Sequence, residues 1–211
     1  MVFDQLAGRS VSKKLTNGSA QAEVVLKFDS GAAIFPSSWS MDGRYITYST
    51  SYVGGDIGLL PMSGDKKPVT FLREPFDHRD PQISPNSKWM AYSSNESGRP
   101  EIYVVSFPKP EGKWQISVNG GMRPKWRRDG KELFFLSASG QLMAVEVNGE
   151  GTTFQKGVPK FLFNAPDRRI QAWFYNYDVA QNGQRFLFNK VLDSSEPPTI
   201  TVIGNWQALL K

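Results

Sequence analysis

The stretch WSMDGRYITY, residues 39–48, places an apolar residue three positions ahead of an Asp-Gly pair and follows the pair with alternating apolar positions that end on an aromatic. Asp-Gly and Asn-Gly tolerate the positive φ of a tight hairpin turn, and alternation of period two marks the strands on either side. The same frame returns in ISPNSKWMAY (83–92), WRRDGKELFF (126–135) and VAQNGQRFLF (179–188). The four copies begin 44, 43 and 53 residues apart. Each therefore predicts a hairpin, with turns at Asp42-Gly43, Asn86-Ser87, Asp129-Gly130 and Asn182-Gly183.

Two further strands follow each hairpin. DIGLLPM (56–62) and PVTFL (68–72) follow the first, EIYVVSF (101–107) and KWQISV (113–118) the second, QLMAVEV (141–147) and PKFLF (159–163) the third. The fourth is followed by TITVIGNW (199–206). Four antiparallel strands in a period near 43 residues are the signature of a β-propeller blade, a unit that buries its two faces only against its neighbours. The expected class is all-β, a propeller of about four blades near 32–72, 80–118, 123–163 and 176–206. Residues 1–21 read as an N-terminal extension or the remnant of an upstream blade. AEVVLKF (22–28) alternates well enough to be an outer strand and is expected to pair with TITVIGNW, closing the last blade and removing two open edges.

One stretch invites a different reading. His78-Arg79-Asp80 with Asn86 imitates the catalytic loop of a protein kinase, H-R-D-x-x-x-x-N. Here Asn86 lies one residue too far on, no D-F-G follows, and no glycine-rich loop precedes a strand lysine. In the repeat frame, Asp80 opens an innermost strand and Asn86 is a turn residue, so the imitation carries no chemistry.

Composition agrees with short strands and tight turns: 19 glycines and 14 prolines in 211 residues. The net charge of +5 is modest and the acids are spread along the chain, which argues against nucleic acid as a partner. With no cysteine and one histidine, neither a thiolate metal site nor a histidine-rich one is expected. No calcium-loop pattern and no G-x-S-x-G occur, so the expectation is no metal, no cofactor and no catalytic residue. No apolar run is long enough for membrane insertion by this segment.

The repeat resembles the TolB-type, WD-repeat-like propeller, which also occurs in prolyl-oligopeptidase-type peptidases. KPVTFLREPF, MAYSSNESGRPEIYVVSFP, GKWQISVNGG, RPKWRRDGKELFFLS, LMAVEV and ITVIGNW resemble most closely the propellers at the C-terminal end of bacterial membrane-anchored serine/threonine kinases and of some winged-helix regulators. That resemblance implies a non-enzymatic module that binds a protein or peptide, or a small ligand at the channel mouth, as the sensor or interaction part of a signalling protein. It also implies an extracytoplasmic, periplasmic location. Relatives of this kind usually carry more blades, so a structural fragment of a larger propeller is one alternative. A hydrolase or lyase with its site at the central channel is another, and the chain is expected as a monomer or a homodimer.

Propellers bind on the face built from the loops that enter the innermost strands and those that join the second and third strands. Here these loops supply Tyr52, Arg79, Arg99, Arg123, Arg168, Arg169 and Trp173, residue types enriched at binding hot spots. Ion pairs with Glu74, Asp77, Asp80, Glu96 and Asp167 on the same loops would make the arginines a solvated rim instead. Trp39, Trp126, Tyr48, Tyr92, Phe135 and Phe188 recur in register and are expected to pack between blades.

Overall fold

The computed structural model describes residues 2–5, 10–15, 17, 21–27, 33–50, 55–166, 177–189 and 200–204. Among them there is no helix. Nineteen strands form five antiparallel sheets in chain order.

The first sheet holds β1 (Val2–Gln5), β2 (Ser10–Lys13) and β3 (Glu23–Lys27). The second runs β4 (Ile34–Trp39), β5 (Tyr45–Thr50), β6 (Ile57–Pro61) and β7 (Val69–Leu72). The third runs β8 (His78–Ile83), β9 (Trp89–Ser94), β10 (Glu101–Ser106) and β11 (Lys113–Gln115). The fourth has β12 (Met122–Trp126), β13 (Glu132–Leu136) and β14 (Gln141–Asn148), the last paired with both β15 (Gln155–Lys156) and β16 (Lys160–Asn164). The fifth has β17 (Tyr177–Val179), β18 (Arg185–Asn189) and β19 (Ile200–Gly204).

All four repeat copies form the expected hairpin. In each, the fourth turn residue donates its N–H back to the carbonyl of the first, as Gly43 does to Ser40 at 2.9 Å. Only the second residue of each Asp/Asn-Gly/Ser pair takes positive φ: Gly43 (74°), Ser87 (54°), Gly130 (72°) and Gly183 (70°). The Asp or Asn contributes through its side chain, whose Oδ1 accepts the N–H two residues on, at 3.0 Å from Arg44 and 3.1 Å from Lys88. The Ser40 hydroxyl and the Arg44 N–H pull the Asp42 carboxyl down to about 2.

Both faces of the middle sheets are buried, because alternate side chains enter opposite seams. On β9, Met90 and Tyr92 face the second sheet with Ile57 and Leu59, while Trp89 and Ala91 face the fourth with Phe135 and Val145. Val11, Leu26, Ile46 and Tyr48 fill the seam between the first two sheets, and Phe134, Phe163, Phe186 and Phe188 that between the last two. Tyr48, Tyr92, Phe135 and Phe188, the closing aromatics of the repeats, are all buried and point toward the preceding sheet. Trp126 is partly buried in the third seam. Trp39 departs from expectation: it is 37% exposed and its ring N–H bonds its own turn at Gly43, 3.1 Å away.

The N-terminal strand also differs from expectation. Strand 23–27 pairs with β2, as Val11↔Leu26 and Ser12↔Val24, and not with β19. The proposed division after residue 21 thus runs through a single sheet. The register pattern VFDQ and SVSK offers too few apolar residues to announce β1 and β2 from sequence.

Candidate functional site: the loop face and the innermost strands

The innermost strands share a distortion. In β4, β8 and β12 the ladder slips near the middle, between Pro36 and Ser38, Arg79 and Gln82, and Met122 and Lys125. At two of these bulges the residue before a proline takes positive φ: Asp80 (56°) and Arg123 (58°). Such a conformation costs about 1–3 kcal/mol for a residue with a side chain, and the surroundings must hold it in place. The bulges couple the two residues across the seam between the third and fourth sheets, where the Asp80 carboxylate accepts the Arg123 backbone N–H. Enclosure raises the Asp80 carboxyl above its usual value, opposed by the Arg123 guanidinium and backbone N–H. Tyr177 of the next sheet donates its hydroxyl to the Arg123 carbonyl at 2.7 Å.

Beyond the bulge, Ser38, Gln82, Lys125 and Asp178 hold the same register position, opposite Thr47, Ala91, Phe134 and Leu187. They lace neighbouring sheets together. Gln82 donates to the Ser37 carbonyl at 2.6 Å, the Trp126 ring N–H to the Gln82 carbonyl at 2.9 Å, and Lys125 Nζ stands 3.4 Å from Asp178.

Among the described residues, neighbouring loops of the expected sets touch one another. His78 N–H bonds the Gly55 carbonyl, Asp77 N–H the Asn95 side chain, Gly121 N–H the Pro100 carbonyl and Ala165 N–H the Gly140 carbonyl. Arg79 pairs with Asp77 at 2.7 Å and remains 43% exposed along its side chain. Arg99 pairs with Glu101 at 2.9 Å and donates to the Val118 carbonyl, yet its side chain is 58% exposed. Arg123 is 4% exposed and belongs to the strand-lacing network, so it offers no surface for docking. Tyr52, Arg168, Arg169 and Trp173 lie outside the described residues.

Glu101, which the sequence reading passed over, organises this face. It is 1% exposed, opens β10, and receives bonds from Arg99, the Gly120 N–H (2.9 Å) and the Ser117 hydroxyl. Two loops, 95–100 and 116–121, are thereby tied to one buried carboxylate. The only cue in sequence is an acid at the head of the apolar run EIYVVSF.

Among the described residues, no group of three or more His, Cys, Asp or Glu is placed to hold a metal ion. A shallow groove of about 520 Å³ lies at the opposite, hairpin-turn end of the fourth sheet, lined by Lys131, Glu132, Glu146 and Glu150 among others. Its charges are mixed and it shares no residue with the loop face.

No protein-family model matches the chain, and no curated protein sequence does. Solved structures match by shape. TolB from Acinetobacter baumannii superposes with a TM-score of 0.71 at 16% identity, over 97% of this chain and 48% of that one. The chain thus spans about half the length of that protein. An oligogalacturonate lyase in complex with manganese gives a TM-score of 0.60 at 10% identity, over 95% of this chain and 58% of that one. A chain of a nidogen/laminin complex gives 0.57 at 12% identity, over 85% and 63%. What the chain shares with all three is the fold: it is built of β-propeller blades, like TolB and the other propellers it superposes on.

Proposed function

We propose that this chain is a non-enzymatic binding module that docks a protein partner on its loop face, as the interaction part of a bacterial signalling protein. The Glu101 knot carries this reading. A buried carboxylate and a backbone carbonyl hold the Arg99 guanidinium, whose side chain is still 58% exposed. An arginine fixed before contact loses little side-chain entropy on association, and arginine is enriched among residues that dominate binding energy. Arg79, held by Asp77 on the adjoining entry loop, is prepared in the same way. Ion pairing within the loops, which would argue for a passive rim, here acts as the positioning device. TolB and the nidogen/laminin complex among the structural neighbours favour a protein-binding propeller, and the sequence resemblance to kinase- and regulator-linked propellers favours the signalling context.

The test compares proteins captured by immobilised wild type, Arg79→Ala/Arg99→Ala, and Lys131→Glu at the opposite end, each verified as folded by circular dichroism. A partner held by wild type and by Lys131→Glu should be lost, at least tenfold, from the double variant. Identical capture by all three would overturn the assignment of the face.

A further inference from the structure

Beneath the loop face lies His78, the single histidine of the chain. Its ring is 0% exposed, and among the described residues neither ring nitrogen has a hydrogen-bond partner. Glu74 Oε2 stands 3.5 Å from its Nε2. The same carboxylate is 3.3 Å from Lys113 Nζ, which Glu96 holds more closely at 2.7 Å. Glu74 is therefore shared between two cationic or potentially cationic groups, at long range from both, and its side chain is 36% exposed and able to move.

Among the described residues, little else stands ready to answer a proton on His78. The Tyr92 ring packs edge-on at 5.5 Å, its hydroxyl buried and, among the described residues, likewise without a partner, and the Phe76 ring stands at 6.5 Å. Tyr103 lies 5.9 Å beneath the Lys113 ammonium. From the second sheet, the Gly55 carbonyl takes the His78 N–H, and Asp56 is already paired with Arg73 at 2.8 Å. Asp77 is turned to Arg79, and its N–H to Asn95.

We propose that Glu74 is a proton-driven latch: with His78 neutral it pairs with Lys113, the ammonium that Glu96 also holds, and with His78 protonated it closes on the imidazolium and draws the entry loop 73–77 away from Lys113. Acidification would then remodel the first entry loop of the binding face. Only the consequence for docking rests on the function proposed above; the latch itself does not.

Burial holds the His78 ring below its usual value of 6.5, with Glu74, Glu96 and Asp77 opposing and Lys113 reinforcing that shift. The unfolded chain takes up the proton first as pH falls through 6.5. Stability therefore drops between that point and the lower folded value, then levels off.

Because His78 is alone, its ring carbon-bound protons can be followed by NMR in the intact protein from pH 8 to 4.5. The expected midpoint lies below 6.5, falls further in Glu74→Gln, and rises in Lys113→Met. The Asp77 amide signal should move with the same midpoint and stay still through it in His78→Phe. An unmoved His78 signal, a midpoint indifferent to both charge variants, or an Asp77 signal that shifts in His78→Phe as in wild type would each overturn the latch. All of these readouts stand apart from partner capture, so failure of the latch and failure of the binding role are separable.

Discussion

Ser87 stands where three sister turns carry glycine, and it takes the same left-handed backbone at φ 54°. For a residue with a Cβ that conformation costs about 1–2 kcal/mol, partly offset because glycine loses more backbone freedom on folding. Ser87→Gly should therefore stabilise the protein by about 0.5–1 kcal/mol, read as a higher urea midpoint at unchanged slope. Gly130→Ser at the sister turn should move the midpoint the other way; a shift of the same sign in both variants would contradict the turn assignment. The turns were legible in sequence because everything they need lies within five residues: an Asx oxygen, the N–H two places on, and a left-handed position. The innermost bulges were not. Positive φ immediately before proline runs against local preference, and at Asp80 and Arg123 it is imposed by partners on neighbouring sheets. Glu101 was hidden for the same reason, since two of its three bonds come from residues 16 and 19 positions away.

At the scale of the strand, alternation told which residues enter a seam but not how two strands share space inside one. Gly58 on β6 faces Tyr48 on β5. The Tyr48 ring, 4% exposed, lies over the glycine so closely that a Cβ there would overlap the ring. Here the glycine is needed for approach and not for turning. Gly58→Ala must displace Tyr48 from the seam between the first two sheets, at a cost of about 1–3 kcal/mol. Tyr48→Ala alone leaves a cavity and costs about 3–5 kcal/mol. Once the ring is gone, the added methyl no longer meets the atoms nearest to it, so the double variant should lose markedly less than the sum of the two, by denaturant unfolding. Simple additivity would show that ring and glycine do not compete for one volume. The same limit explains Trp39. Its repeat position matches Trp126, but Trp126 finds the Gln82 carbonyl on the preceding sheet, whereas Trp39 bonds within its own turn.

At the scale of the molecule, among the described residues four apolar seams join five sheets in a row, so stability should follow the arithmetic of stacked repeats, each sheet held by its neighbours. Among the described residues, the three middle sheets contribute to two seams each, and the first and last to one. Leu187 on β18 and Val24 on β3 are accordingly exposed, while Ala91, Val104 and Phe134 on the middle sheets are fully buried. Arg79 on β8 and Arg99 in the loop between β9 and β10 are both carried by the third sheet, which is flanked on either side, and that placement suits a face meant to be displayed rigidly. Opening that sheet must break two seams. Native-state hydrogen exchange should therefore find amides of β9, β10 and β13 protected at least tenfold more than those of β2 and β18, a gap of about 1.4 kcal/mol or greater. Phe186→Ala, which empties the last seam where the ring meets Phe134 at 5.2 Å and Phe163 at 5.5 Å, should widen the gap for β18 while sparing β9. Equal protection in all five sheets, falling together in the variant, would mean one cooperative body, and the argument that the third sheet is specially rigid would fall with it.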